Sequence, residues 1–308
     1  MSPLQKRGEI MGSKSNYVLS CGSTVDLTEE RLKERNIEYI SYKYYVDGKE
    51  YIDNFGKSMS HADFYAGMRN GRDTKTTQIN AAEYAEYFEK FLKQGLDVVH
   101  LEMSSGISGS FNSAQIAKRE LNQKYKNNKV YLVDSLCISS GYGLFVEEVA
   151  DLRDKGISAE ALALEAEKLK IHIGHLCMSS DLTFFIKGGR ISKAAGAFGT
   201  LLRICPCMYA DDDGRLVVFK KIPGKKRTME DFIKIMSNKA IDGTNYNGRC
   251  YICNSDCRED AEMMKTLIEA KFPNLVGKIE IYNIGTTIGS HTGPGTVAVF
   301  YKATDRHL

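Results

Sequence analysis

The sequence predicts an α/β protein in two parts, a parallel sheet covered by helices on both faces and then a mixed-sheet α+β layer. Three observations carry this expectation. Between residues 17 and 172, short apolar runs alternate with helical patterns at the spacing of strand–helix–strand units. Beyond residue 172 strands and helices follow in less regular order, which suits a mixed sheet. The chain has 308 residues, long for one domain and natural for two. The expected division is a leader over 1–16, a first domain over 17–172 and a second over 173–308.

Residues 17–20 form an apolar strand, 23–26 a hydroxyl-rich turn and 28–35 a helix. A strand over 39–46, the Asp47-Gly48 turn and a strand over 50–52 make a hairpin. Ser60 caps a helix carrying Phe64 and Met68. Asn80 caps another, in which Tyr84, Tyr87, Phe88, Phe91 and Leu92 recur at helical spacing. Such a stripe is core packing. Strands over 97–102 and 130–133, a helix opened by a loop over 104–112, and helices over 139–155 and 158–170 complete the first domain. In the second, helices are expected over 227–239 and 258–271, with strands over 216–220, 249–254, 278–282 and 296–301.

Composition excludes several function classes. Net charge is +3, and basic residues are interleaved with acidic ones, unlike the basic stripe that neutralises nucleic-acid phosphates. The one cluster, Lys220, Lys221, Lys225, Lys226 and Arg227, is a solvated rim or a docking patch for an acidic partner. No apolar run approaches the roughly 20 residues that span a bilayer. Residues 1–16 lack the apolar core of a signal peptide and read as a disordered leader, with Met11 offering an alternative start. A cytoplasmic protein is expected. Its eight cysteines then read as reduced thiols. Cys250, Cys253 and Cys257, with Cys205 and Cys207, invite a metal reading. Strand alternation opposes it, because it sends Cys250 and Cys253 to opposite faces.

The most informative segment is Ser104-Ser-Gly-Ile-Ser-Gly-Ser-Phe-Asn-Ser113, which follows a buried strand and opens a helix. Glycines allow close backbone approach, and the free amides of a helix start favour an anion. A second hydroxyl cluster, Thr74-Lys-Thr-Thr-Gln78, precedes the Asn80-capped helix. Loops at the carboxyl ends of parallel strands converge on one crevice, so both clusters can meet one anionic head group. They are equally ordinary turn and cap formers. A serine hydrolase would need a nucleophile with a base in reach, and the Gly106-Ile-Ser-Gly stretch lacks the elbow spacing. His61, His100, His172, His175 and His307 stand in no suggestive company. His291 differs: Gly289-Ser-His-Thr-Gly-Pro-Gly-Thr296 reads as a glycine-rich turn with an imidazole and three hydroxyls, able to donate to a carboxylate or phosphate. Lys187-Gly-Gly-Arg190, flanked by Phe184, Phe185 and Ile191, places two cations beside an apolar surface.

In combination these segments resemble the DegV family. The residues that carry the resemblance are Ser23-Thr-Val-Asp-Leu27, Thr76-Thr-Gln78, Ser104-Ser-Gly-Ile-Ser-Gly-Ser110, Phe185-Ile-Lys-Gly-Gly-Arg-Ile191 and His291-Thr-Gly-Pro-Gly295, in register over 17–301. The resemblance implies a three-layer α/β/α parallel-sheet domain followed by a two-layer mixed-sheet domain, with a long-chain fatty acid buried between them. It implies a lipid-binding subunit of a bacterial fatty-acid kinase, without a catalytic constellation or cofactor of its own. A separate ATP-dependent subunit would phosphorylate the presented carboxylate to an acyl phosphate for phospholipid synthesis. Thr76, Ser105 and His291 would hold the carboxylate, with Thr77, Ser104 and Ser108 as neighbouring candidates, and Arg190 and Lys187 at the head group or the partner surface. The chain departs from the family in three places. Cys21-Gly-Ser-Thr24 replaces Thr-Asp-Ser-Thr, Cys205-Pro206 replaces Lys-Pro, and Pro223 stands near where relatives carry an arginine.

Overall fold

The computed structural model describes residues 16–191 and 204–307; of the expected leader only Asn16 falls within them. The first part of the chain runs β1 (Tyr17–Gly22), α1 (Glu29–Glu34), β2 (Glu38–Ile40), β3 (Lys43–Val46), β4 (Lys49–Ile52), α2 (His61–Arg69), β5 (Thr74–Thr77), α3 (Ala81–Leu92), β6 (Asp97–Glu102), α4 (Ser110–Lys124), β7 (Val130–Asp134), α5 (Ser139–Arg153) and α6 (Ala159–Leu169). The second part runs β8 (Ile173–Ser179), α7 (Thr183–Lys187), β9 (Ile204–Ala210), β10 (Leu216–Pro223), the helix Lys225–Lys239, β11 (Cys250–Asn254), the helix Arg258–Lys271, β12 (Glu280–Asn283), the helix Thr286–Thr292 and β13 (Thr296–Lys302).

Strands β2-β1-β6-β7 form a parallel sheet. Helices α3 and α4 pack together on β6 and β7, while α5 and α6 pair and cover the sheet from the other side. The expected caps form: Ser60 accepts from the Asp63 amide, and Asn80 makes a reciprocal capping box with Glu83. Tyr84, Tyr87, Phe88, Phe91 and Leu92 all sit in the core.

Strands β10-β9-β8-β13-β11-β12 form the mixed sheet, antiparallel except for the β11–β12 pair. Its two faces are both buried, against different partners. Leu176, Met178, Cys250, Ile252, Val297 and Val299 face the helices Lys225–Lys239 and Arg258–Lys271, whose Met229, Phe232, Met264 and Ile268 complete that core. The alternate residues Cys177, Tyr251, Cys253, Ala298 and Phe300 face the parallel-sheet half and join its core. The expected alternation of Cys250 and Cys253 therefore holds, and each thiol is buried in a different hydrophobic cluster. Helix α5 is the shared layer, contacting β8, β11 and β13 as well as α6.

Three expectations are corrected. Residues 39–46 are not one strand. β2 joins the parallel sheet, whereas β3 pairs with β4 and β5 in a small antiparallel sheet. The break falls at Tyr42, whose amide donates to Ser23 Oγ and whose hydroxyl donates to Glu102, drawing it inward. The Asp47-Gly48 turn does form, with φ of 50° and 80°, the left-handed pair a two-residue hairpin requires. Secondly, residues 74–77 are a strand rather than a loop, with Thr76 opposite Tyr44. Thirdly, His291 lies on the helix Thr286–Thr292 and not in a turn. The amides of Gly285 and Thr287 donate to the buried carboxyl groups of Asp26 and Asp53, and Gly293 ends the helix at φ 66°. Strands β8 and β9 were not anticipated. β8 is buried throughout, so it shows no polar alternation. β9 contains Pro206, which falls beyond the end of its pairing with β8 and is spared an unmet backbone bond there.

Candidate functional site

A cavity of about 480 Å³ opens where β5, the segment before α4, α7 and the helix Thr286–Thr292 meet. That volume lies within the range of small-molecule sites. Tyr42, Met103, Ile107, Ile138, Phe185, Leu216 and Ile288 give it apolar walls. Polar groups concentrate on two walls, Thr74 to Gln78 from β5 and Thr287 to Thr292 from the helix.

At the centre of the polar end, Thr76 Oγ1 and His291 Nε2 lie 2.7 Å apart, joining residues 215 positions apart in sequence. Burial, and then the charge of Arg190, push the His291 imidazole down to about 4. At neutral pH the ring is therefore uncharged and acts as a hydrogen-bonding group. Its Nδ1 is buried without a hydrogen-bond partner among the described residues and faces Gly188, where a Cβ would collide with it. Glycine is needed there for close approach alone.

Arg190 is half-buried. Its Nε donates to Ile107 O at 3.2 Å and its Nη1 to Gly188 O at 2.5 Å. Burial lowers its pKa, and it pairs with no carboxylate among the described residues. A carboxylate or phosphate entering the cavity would supply the missing countercharge. Lys187 lines the same cavity but is exposed and pairs with Asp73 at 2.6 Å.

Thr77 and Ser108 also line the cavity, and Ser108 Oγ accepts from the Ser110 amide at 3.2 Å. Ser104 and Ser105 do not line it. Ser104 is fully buried; its hydroxyl donates to Gly214 O at 2.8 Å and accepts from the Gly106 amide, tying the β9–β10 turn to the first sheet. Ser105 is exposed, and its amide donates to Asp134. The structure thus brings Thr76, Thr77, Ser108, His291, Arg190 and Lys187 to one cavity and places Ser104 and Ser105 beside it.

Tyr42 and Thr287 carry no site signal in the sequence, whereas Ser290 falls within the hydroxyl-bearing 289–296 segment. Tyr42 was assigned to a strand, and its hydroxyl donates at 2.6 Å to Glu102, a fully buried carboxylate. Thr287 and Ser290 flank His291 on the unrecognised helix. His100 also has company that the sequence did not reveal, with Ser20 Oγ at 2.8 Å and Glu102 at 3.0 Å. Ser20, His100 and Glu102 are each fully buried, and Glu102 also takes the hydroxyls of Tyr42 and Tyr84. The group is a satisfied polar network in the core, closed to a substrate at Ser20. In the basic cluster, Lys220 and Lys225 are paired with Asp231 and Asp260. Among the described residues no group of three or more side chains is arranged to hold a metal ion, and no helix is long and apolar enough to cross a membrane.

Comparison with known proteins gives the site its setting. A DegV domain-containing protein of Clostridium perfringens is 35% identical over 285 residues, covering 92% of this chain and 97% of that protein. Among solved structures, DegV of Bacillus subtilis, described as a fatty acid binding protein, is 25% identical with a TM-score of 0.79, covering 94% of this chain and 100% of that one. The Fatty Acid Kinase (Fak) B3 protein of Streptococcus pneumoniae, loaded with linoleic acid, has the same fold at 20% identity and a TM-score of 0.78, over 93% and 99% of the two chains. The family profile described as "Uncharacterised protein, DegV family" matches residues 21–304, and with that span matched the chain belongs to the DegV family.

Proposed function

We propose that this protein binds a long-chain fatty acid between its two halves, divided near residue 172, and presents the carboxylate to a separate ATP-dependent fatty-acid kinase subunit. The observation that carries this reading is the Thr76–His291 pair where polar and apolar walls of one cavity meet. Thr76 and His291 are the carboxylate grip, Thr77 and Ser108 are alternative hydroxyl donors, and Arg190 supplies the countercharge. Ser105 and Ser104 shape the segment that carries Ser108. Lys187, exposed at the mouth, faces the head group or the kinase. The fatty-acid-binding description of the Bacillus relative and the kinase name of the Streptococcus relative support this reading.

The protein is a carrier in this reading, acting in the cytoplasm, with the kinase supplying the chemistry and no cofactor beyond the bound lipid. Native mass spectrometry of the protein purified from cells should show a co-purified acid of roughly C14–C18 length. Reconstitution with ATP and a fatty-acid kinase subunit should then yield acyl phosphate. A folded protein with no lipid and no affinity for any fatty acid would overturn the proposal. Lipid binding without acyl phosphate would leave a sensing module instead.

A further inference from the structure

We propose that Asp26 and Asp53 are positioning residues of the carboxylate grip: they share one helix start, carry at most one negative charge between them, and release His291 from Thr76 when both ionise. This rests on the fatty-acid reading above and gives that site a pH dependence.

The two carboxyls come from different parts of the fold. Asp26 follows the short helical turn after β1, and Asp53 follows β4. They are 4% and 3% exposed. Asp26 Oδ1 accepts from the Gly285 amide at 2.9 Å, and Asp53 Oδ2 accepts from the Thr287 amide at 3.2 Å. A Cβ on Gly285 would lie 2.7 Å from Asp26 Oδ1 and 3.7 Å from Asp53 Oδ1. Both groups therefore converge on the start of the helix Thr286–Thr292. Neither meets a lysine, arginine or histidine among the described residues. One negative charge there is matched by the free amides of the helix start. A second would face the first in a buried setting with nothing to offset it. Asp53, with the Thr286 and Thr287 hydroxyls turned toward it, carries the charge. Asp26 keeps its proton, because burial, with the Asp53 charge adding to it, raises the carboxyl to about 8. Its Oδ2 bonds Ser139 Oγ, which has Cys253 Sγ 3.3 Å away as its own further partner. The other titratable groups facing the pair are Tyr65 of α2, Tyr44 of β3 and Cys253 of β11. Burial raises all three, Tyr44 and Cys253 to about 12, so none of them changes charge between pH 7 and 9.

Position ties the pair to both arms of the grip. The Asp53 amide donates to Tyr42 O at 2.9 Å, at the entry to the small sheet in which Thr76 lies opposite Tyr44. His291 rides on the helix whose first amides the two carboxyls hold. Thr76 Oγ1 and His291 Nε2 are 2.7 Å apart. A displacement of about 1 Å at the helix start carries that pair past hydrogen-bonding distance. Repulsion between two ionised carboxyls under Gly285 acts directly on that start.

The test measures myristate affinity of the delipidated full-length protein at pH 7 and pH 9 by titration calorimetry. With Asp26 protonated in the binding-competent form, the competent fraction falls to about a tenth at pH 9. Affinity should fall about ten-fold with it. Asp26→Asn cannot ionise, so the wild-type ratio of affinities should exceed the variant's by that factor, and the comparison cancels anything pH does to the ligand. Asp53→Asn, in which the pair never carries two charges, should flatten the profile likewise and serves if Asp26→Asn does not fold. Equal ratios in the wild type and a folded variant would overturn the proposal. A wild-type affinity unchanged between pH 7 and pH 9 overturns it without any variant. Loss of the circular dichroism spectrum at pH 9 overturns it too, since the fold and not the grip would then be yielding. Binding of myristate without pH dependence leaves the fatty-acid reading standing. No binding at either pH by folded protein would remove both.

Discussion

At His291, burial and the charge of Arg190 hold the imidazole at about 4, below its ordinary value of 6.5. Between these values the unfolded chain takes up a proton that the native ring does not. Stability therefore rises with pH across that window and is lost as pH falls from about 6.5 toward 4. In His291→Gln this slope should shrink, by on the order of 1 kcal/mol across the window after allowance for partial exposure. Urea unfolding at pH 7, 6 and 5 would show it; equal slopes in both proteins would count against a buried neutral ring. Asp26 works in the opposite sense. Burial is the largest influence on it and raises its carboxyl to about 8, although it accepts from Ser139 and from the Gly285 amide. Its native form stays protonated where the unfolded carboxylate has ionised, so its contribution declines as pH rises from about 4 to 8. The helix bearing His291 is thus seated on a carboxyl that is largely neutral at pH 7.

Among the elements, α7 and the helix Thr286–Thr292 meet face to face, and their contact sets where the imidazole points. Gly188 closes α7 directly over His291 Nδ1. Gly188→Ala has a permitted backbone, φ −76°, so its effect should come through the collision alone. The ring must tilt and its bond to Thr76 weaken. We expect about a ten-fold loss in fatty-acid affinity, with the circular dichroism spectrum retained. Unchanged affinity would show that the ring position is not critical. The other end of the same helix is equally constrained: Gly293 has φ 66°, and a Cβ there would strike the Phe184 ring. At the sheet edge, Pro223 ends β10 opposite Ile204, and an edge strand accommodates it because its missing amide proton is not needed by an outer neighbour.

Across the whole molecule the two sheets share one hydrophobic core, with α5 between them. The polar counterpart is Glu147 of α5, fully buried, which takes Arg31 Nε at 2.6 Å and the hydroxyl of Tyr251 from the mixed sheet. Beside it Arg249 binds Glu148 at 2.9 Å and Asp151 at 2.5 Å. Cutting this junction by Glu147→Ala leaves Arg31 without its carboxylate and the Tyr251 hydroxyl without its acceptor, and should cost about 2 kcal/mol. Because the core is continuous, both halves should still unfold together in one transition. Separate transitions for the two halves would show that the junction couples them less than the packing suggests.

The sequence by itself determined the order of most strands and helices, the caps at Ser60 and Asn80, the Asp47-Gly48 turn and the opposite faces of Cys250 and Cys253. These rest on local rules of periodicity, capping and alternation. It also marked Thr76, Ser108, Arg190 and His291 through hydroxyl, cationic and glycine-rich segments. Only the tertiary structure decided that β5 is a strand, that β8 and β9 exist, and that His291 rides on a helix. Each depends on partners far away in sequence: β3 for β5, the two-sided burial of the mixed sheet for β8, and Asp26 and Asp53 for the helix. The same reason separates Ser104 from Ser108. Four residues apart in one motif, the first is drawn into the turn at Gly214 and the second is left facing the cavity, a choice made by a hairpin more than a hundred residues downstream.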